Sequence, residues 1–311
     1  MYRGRSIGVV IPAYNVERSI RKVVEGVPSW VDRIIVVDDA SRDGTLREAR
    51  SIPATNLIVL HHDVNQGVGG AMVTGFRRAL DEGVKIAVKM DGDGQMDPGY
   101  LPVLLDAVTI QGYDYAKGNR FLHTAALSTM PRHRLFGNFI LTFLTKLTSG
   151  YWNVFDPQNG YLAIRRDALA QLNLDRIAKR FFFENDLLIN LNILGFRVKD
   201  VAIPALYGDE QSNIKISRVL GSFPIYLFRR FWYRIYQKYV LRDFSPVALF
   251  LFLGLPFFLW GVGFGAYAWW RSASLGQVTP TGTVMLSVLP LLLGFELILQ
   301  AIILDIQSTP K

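Results

Sequence analysis

Short unbroken apolar runs alternate with segments whose apolar residues recur every three to four positions. Residues 6–11, 33–37, 56–61 and 84–90 are apolar almost without interruption, the pattern of strands buried on both faces. Between them, residues 16–26, 43–51 and 67–82 read as helices. Another short strand ends at Gly118-Asn119-Arg120, and Arg132-His133-Arg134 opens an amphipathic helix through Leu147. Glu184-Asn185-Asp186 falls at the start of a further helix. The alternation predicts an α/β fold: a Rossmann-like, mostly parallel sheet with helices on both faces. Ligands of such sheets bind beyond the carboxyl ends of the strands. Residues 12–15, 38–41 and 91–95 all lie at such ends and outline one site.

The pattern changes after residue 215. Residues 245–270 carry no charge, and residues 277–304 carry only Glu296. A hydrocarbon core of ~30 Å needs ~20 apolar residues, so each segment is long enough to cross one. Joined by residues 271–276, they predict a transmembrane hairpin spanning about 245–270 and 280–304. Trp260, Trp269 and Trp270 suit a membrane interface. The organisation expected is a catalytic domain over 1–215, a juxtamembrane helix over 216–243 and a membrane domain over 244–311. Residues 7–11 are too short for a signal-peptide core, so no signal peptide is expected.

Charge sharpens this picture. The net charge is +8, and residues 218–242 hold Arg218, Arg229, Arg230, Arg234, Lys238 and Arg242 without an acid. On a helix following Pro224, residues Phe228, Phe231, Trp232, Ile235 and Tyr239 share one face. Arg230, Arg234 and Lys238 step by four along another. This predicts an interfacial amphipathic helix on anionic lipid headgroups. Its place beside a membrane segment argues against nucleic acid as a partner. The positive-inside rule puts the N-terminal domain on the cytoplasmic side and returns the C-terminus there. The chain contains no cysteine, which excludes disulfides and thiolate metal sites.

The candidate chemistry centres on Asp91-Gly92-Asp93-Gly94-Gln95. Two carboxylates two residues apart suit a hard cation such as Mg²⁺, whose other positions go to water and substrate phosphate. Tyr14 is placed to stack on a nucleobase, and Asn15 to cap the helix that follows. Asp38 and Asp39 offer carboxylates to a base edge or ribose hydroxyls, while Ser41 and Asp43 serve equally as turn and cap residues. Asn65-Gln66-Gly67-Val68-Gly69-Gly70 leads into a helix whose N-terminus attracts phosphate, but it fits neither a P-loop nor a dinucleotide fingerprint. Arg120 and Arg134 suit oxyanions through their planar forks. Asp186 reads as a general base or as a helix-capping acid, and both stay open.

Together these motifs resemble the inverting family 2 glycosyltransferases of the GT-A fold, specifically the polyprenyl-phosphate sugar transferases. That group includes dolichol-phosphate mannose synthases and undecaprenyl-phosphate glucosyl- or aminosugar-transferases. The resemblance rests on residues 10–15, 37–45, 65–71, 90–95, 118–120 and 156–161, in the family's order. It implies that Pro12, Tyr14, Asn15, Glu17, Asp39 and Gly67 hold a nucleotide diphosphate sugar. Asp91, Asp93 and Gln95 would surround Mg²⁺ or Mn²⁺, and Arg120 and Arg134 would contact phosphates. The implied acceptor is a polyprenyl phosphate, and a homo-oligomer through the hairpin is allowed. Gly94 and Gln158-Asn159 depart from the mannose synthases, and Glu184-Asn185-Asp186 matches relatives that deprotonate a hydroxyl acceptor. Two rivals follow: transfer to a glycan hydroxyl with Asp186 as base, and a non-catalytic nucleotide-sugar-binding membrane protein.

Overall fold

Ile7–Ala13 (β1) is buried because both its faces are covered. Ile7, Val9 and Ile11 enter one apolar layer and Val10 the opposite one. Each fully buried Ile or Val contributes ~1.5–3 kcal/mol, so a strand apolar on both sides is stable only between two layers of helices. In chain order the elements continue as α1 (Ile20–Gly26), β2 (Arg33–Asp38), α2 (Thr45–Arg50), β3 (Leu57–His61), α3 (Val68–Asp81), β4 (Ile86–Lys89) and α4 (Leu101–Thr109). They are followed by β5 (Tyr115–Asn119), α5 (Arg132–Ser149), β6 (Leu162–Arg165), α6 (Arg166–Gln171), α7 (Phe183–Ile193), β7 (Val198–Ala202) and α8 (Ile216–Tyr236). The structure is a computed structural model that describes residues 1–120, 132–157, 159–204 and 216–311, with the backbone alone for 132–138 and 216–222.

The seven strands form one sheet in the order β3-β2-β1-β4-β6-β5-β7. All pairings are parallel except those of β6, which runs antiparallel to both β4 and β5. The chain therefore enters β6 at the edge where the other strands end, and residues 156–157 and 159–161 join the polar clusters there. One layer packs Val9, Ile34 and Val88 against Leu104 and Leu105 of α4; the other packs Val10, Val37 and Ala87 against Phe76 of α3 and Leu187 of α7. Gly75 lets α3 seat on β1 and β2, since a Cβ there would run into the Val10 side chain and stand 3.3 Å from Val37.

Two compact units divide the chain: Met1–Phe231 with Pro310–Lys311, and Trp232–Thr309. The boundary falls within α8, beyond the expected residue 215. Its physical reason is that Phe223 and Leu227 are buried and that Arg230 pairs with Asp186, so the first part of α8 belongs to the first unit. The helix also begins before Pro224 and carries that proline within it.

In the second unit a π-helical turn over Gln237–Arg242 precedes α9 (Pro246–Leu275) and α10 (Thr281–Gln307). Both helices are long and apolar enough to cross a bilayer, and only 28% and 11% of their most apolar windows are buried. Helices of a soluble core would bury most of that surface. Small residues let the pair approach closely: a Cβ on Gly261 would stand 2.6 Å from the Leu291 backbone nitrogen.

The expected basic stripe is corrected here. Arg234 is fully buried and forks onto Asp305 at 2.6 and 3.0 Å. Tyr239 donates to the same carboxylate at 2.5 Å and lies 2.6 Å from Ser308 Oγ. Burial, with Arg234 adding to it, pulls Lys238 down to about 8. Arg230 faces Asp186 within the first unit. An unpaired carboxylate out of water outcompetes a headgroup for these cations, leaving Arg229 and Arg242 as the exposed basic residues of the described stretch.

Candidate active site

At the carboxyl edge, the loops after β1 and β2 are stitched into one body. Asn15 adopts a left-handed backbone (φ 54°) that asparagine tolerates. Its amide donates to Ser41 Oγ at 3.0 Å, and its side chain accepts from the Arg42 amide at 2.8 Å. Asn15 therefore bridges two loops instead of capping α1, which starts only at Ile20. Glu17 Oε2 accepts from the Gly44 amide at 3.0 Å, and Oε1 pairs with Arg47 at 3.1 Å. Asp43 closes an Asx turn onto Thr45 at 3.0 Å, the bland role its sequence allowed. Pro12 lies within β1 and Tyr14 just past it, half exposed.

Asp38 and Asp39 divide their labour unlike the sequence expectation. Asp39 is buried, and its carboxylate accepts from the Gln66 and Gly67 amides at 2.9 and 2.7 Å, with His62 Nδ1 at 2.7 Å. It organises the loop before α3. Asp38 Oδ2 takes His61 Nδ1 at 2.8 Å, while its buried Oδ1 has no hydrogen-bond partner among the described residues. The unpartnered buried oxygen belongs to Asp38, not Asp39.

The Asp91 turn is backed by a lysine that the sequence reading passed over. Lys89, buried at the end of β4, places Nζ 2.6 Å from Asp91 Oδ1 and 3.5 Å from Glu184 Oε1. Burial works to discharge Lys89, but the two carboxylates outweigh it and hold its pKa above the usual value. Burial pushes Glu184 up against the pull of Lys89. Period-two alternation puts Lys89 and Asp91 on one side of the strand, the signal that was available. Asp93 Oδ1 accepts from the Gln95 amide at 3.0 Å and closes the turn, leaving the Gln95 side chain exposed.

Lys89 holds one oxygen of Asp91; the other faces Gly160, where a Cβ would stand 3.2 Å from Oδ2 and against Lys89 Nζ. Asp91 and Asp93 thus offer hard oxygen donors at the strand end, and they fit Mg²⁺ or Mn²⁺. Among the described residues no group of three or more His, Asp or Glu is placed to hold a metal ion.

Arg120 does reach this edge, but its fork is spent on Asp156 at 2.8 and 3.0 Å. Burial works against the Asp156 carboxylate, yet Arg120 and Lys117 hold its pKa below the usual range. Behind it, burial pulls the buried Lys117 down and pushes Asp200 up. The Arg134 side chain and Gln158 lie outside the described residues.

Asp186 is not brought to the Asp91 cluster. It is buried, and Oδ2 accepts from the Ala178 amide at 2.8 Å and from Arg230 at 2.7 Å. Oδ1 faces Asn190 at 3.4 Å. Burial raises its pKa to about 6 against the pull of Arg230. A base must reach the proton it takes, and this carboxylate is committed to its own chain. Glu184 is the acid beside the motif. Gly67, expected at a phosphate-binding helix start, has a positive φ of 85°, and a Cβ there would stand 2.7 Å from the Lys179 carbonyl. Glycine is needed because residues 178–180 lie on it.

The sheet thus carries a polar, carboxylate-rich site along its carboxyl edge. The chain belongs to glycosyl transferase family 2, whose profile matches residues 8–172. It is 31% identical over 235 residues to the UDP-N-acetylglucosamine–dolichyl-phosphate N-acetylglucosaminyltransferase of Methanococcus voltae, covering 71% of this chain and 93% of that one. It is 33% identical over 201 residues to the undecaprenyl-phosphate mannosyltransferase of Micrococcus luteus, covering 62% and 81%. In fold it is similar to glucosyl-3-phosphoglycerate synthase from Mycobacterium tuberculosis, solved with Mn²⁺, UDP-glucose and phosphoglyceric acid. The TM-score is 0.55 at 23% identity, over 74% of this chain and 80% of that one.

Proposed function

We propose that this protein transfers a hexosyl unit from a nucleotide diphosphate sugar to a polyprenyl phosphate, with inversion at the anomeric carbon. The observation that carries this reading is one chain joining the Asp91-Asp93 turn to two helices of membrane-spanning length. The names of the relatives support it, since they act on dolichyl and undecaprenyl phosphates. A lipid phosphate oxygen attacks the anomeric carbon, the bond to the diphosphate breaks, and a nucleoside diphosphate leaves. Because the acceptor is already an anion, it needs positioning more than a general base, in accord with a buried and committed Asp186.

Pro12, Tyr14, Asn15 and Glu17 hold the nucleotide in this reading, with Asp39 and the Gly67 turn before α3 forming the donor loop beside them. Asp91, Asp93 and Gln95 would hold a divalent cation, which when bound would supply charge compensation to the departing diphosphate. Lys89 orients Asp91 and keeps Glu184 compensated. Arg120 and Arg134 serve the phosphates, Arg120 by exchanging its fork from Asp156. The hairpin anchors the enzyme with the catalytic unit on the cytoplasmic face, as the basic residues before it favour. The test is incubation of the full chain with UDP- and GDP-sugars and polyprenyl phosphate in vesicles, followed by mass spectrometry of the lipids. A glycosylated polyprenyl phosphate is expected from at least one donor; none from any donor, with the protein folded, overturns the reading.

A further inference from the structure

The side of α7 away from Lys89 is tied to the juxtamembrane helix. Phe182, just before α7, is edge-on to Phe223 at 5.3 Å and stacked on Tyr226 at 5.6 Å, both from α8. Beyond these rings Arg230 reaches back 44 residues to Asp186, with Nη2 2.7 Å from Oδ2, and also donates to the Arg176 carbonyl at 3.2 Å. The oxygen that takes the guanidinium also takes the Ala178 amide at 2.8 Å, so the ion pair and the 178–180 segment share one atom. The next carbonyl, of Lys179, accepts from the Gly70 amide at 3.0 Å in the first turn of α3. The Gly67 amide in turn donates to Asp39 at 2.7 Å. Neither Gly67 nor Gly69 has room for a Cβ under this segment, so the two backbones move together or not at all.

We propose that Arg230 is a positioning residue for sugar transfer, holding the 178–180 segment on the start of α3 through Asp186 and so linking the juxtamembrane helix to the donor loop. The inference rests on the transferase reading above. A buried carboxylate needs a partner, and this one takes its cation from the helix that continues past Phe231 into the unit with the apolar hairpin. Loss of Arg230 frees Asp186 to turn toward water, releases Ala178 and loosens the start of α3. The donor side then loses order while the acceptor is still supplied by the membrane.

The test uses the full chain in vesicles containing polyprenyl phosphate, with Arg230→Met, Arg230→Lys, Asp186→Asn and the Arg230→Met/Asp186→Asn double variant. Affinity for UDP and GDP with Mn²⁺ is read by calorimetry, and donor and acceptor KM by transfer. Arg230→Met and Asp186→Asn should each weaken nucleotide binding and raise donor KM by roughly 5- to 100-fold, the span of ordinary coupling between sites. The acceptor KM should stay within twofold, the double variant should be no worse than the poorer single one, and Arg230→Lys should recover part of the loss. Donor affinity and KM within twofold of wild type, even with a lower unfolding temperature, would make the contact a structural brace and overturn the proposal. Single effects that multiply in the double variant would do the same, as would a kcat loss in Asp186→Asn with donor KM unchanged. If Arg230→Met fails to fold, Asp186→Asn and Arg230→Lys carry the test. A wild type that binds nucleotide but transfers no sugar refutes the transferase reading alone; one that binds neither nucleotide refutes both.

Discussion

Lys89 and Asp91 stand on the same side of the end of β4, with Nζ 2.6 Å from Oδ1. The ammonium holds one oxygen of the motif, and the other stands beside Gly160. A fixed cation between Asp91 and Glu184 compensates both carboxylates and sets where Asp91 points.

Replacing Lys89 by Met should therefore cost more than a lost surface pair. Removing one partner of a buried pair leaves an uncompensated charge, at about 3–5 kcal/mol. Lys89→Arg should rescue poorly, because Gly160 abuts the ammonium and leaves no room for a guanidinium. Urea unfolding checks this, and an unchanged unfolding free energy in Lys89→Met would refute it.

Asp93→Asn should lower turnover by at least about a hundredfold with the fold intact, since one anionic donor to the cation is gone. Activity should vanish in excess EDTA and return with Mg²⁺ or Mn²⁺. Full turnover in EDTA would end the metal assignment.

Arg120→Lys keeps the charge but loses the two parallel bonds to Asp156. The expected result is a severalfold rise in the KM of donor or acceptor, while Asp156→Asn, by freeing the fork, should disturb KM less. Wild-type KM values for both substrates in Arg120→Lys would reduce Arg120 to a loop brace.

Asp186 also predicts a pH dependence of stability. Its pKa in the folded chain is about 6, above the ordinary 3.8, so between those values the folded state keeps a proton that the unfolded state has released. Stability from this group therefore falls as pH rises from about 4 to about 6 and is level above that. Asp186→Asn should lack that slope in thermal unfolding across the window; parallel curves for the two proteins would contradict the assignment.

Truncation should be sensitive to where it falls. A chain ending at residue 215 loses Phe223, Tyr226 and Arg230, exposing Phe182 and leaving Asp186 uncompensated. One ending at Phe231 keeps all three. The longer fragment should unfold cooperatively at a clearly higher temperature, and equal unfolding temperatures would show that α8 adds nothing to the catalytic unit.

Much of this was legible in the residues. Unbroken apolar runs such as Ile34-Ile35-Val36-Val37 announce a two-sided sheet, and the Asp91 turn lies at the strand end that such sheets use. What hid was long-range pairing. The reversal of β6 leaves no mark in Leu162-Ala163-Ile164-Arg165, because parallel and antiparallel strands bury the same side chains. Arg230 and Arg234 looked solvent-facing because helical periodicity assigns a face but not what covers it, and their carboxylates lie 44 and 71 residues away. Asp38 and Asp39 could not be told apart by type, only by which oxygens the loop before α3 had already taken.

The Arg234–Asp305 contact bears on how the protein is made. It closes over 71 residues that include both apolar helices. During synthesis Arg234 emerges long before its partner and must wait, solvated, until the last helix has been delivered. Neutralisation of that arginine and insertion of the hairpin are then one event, so a chain stalled after a single apolar helix still bears a bare charge, a mark by which unfinished copies differ from finished ones.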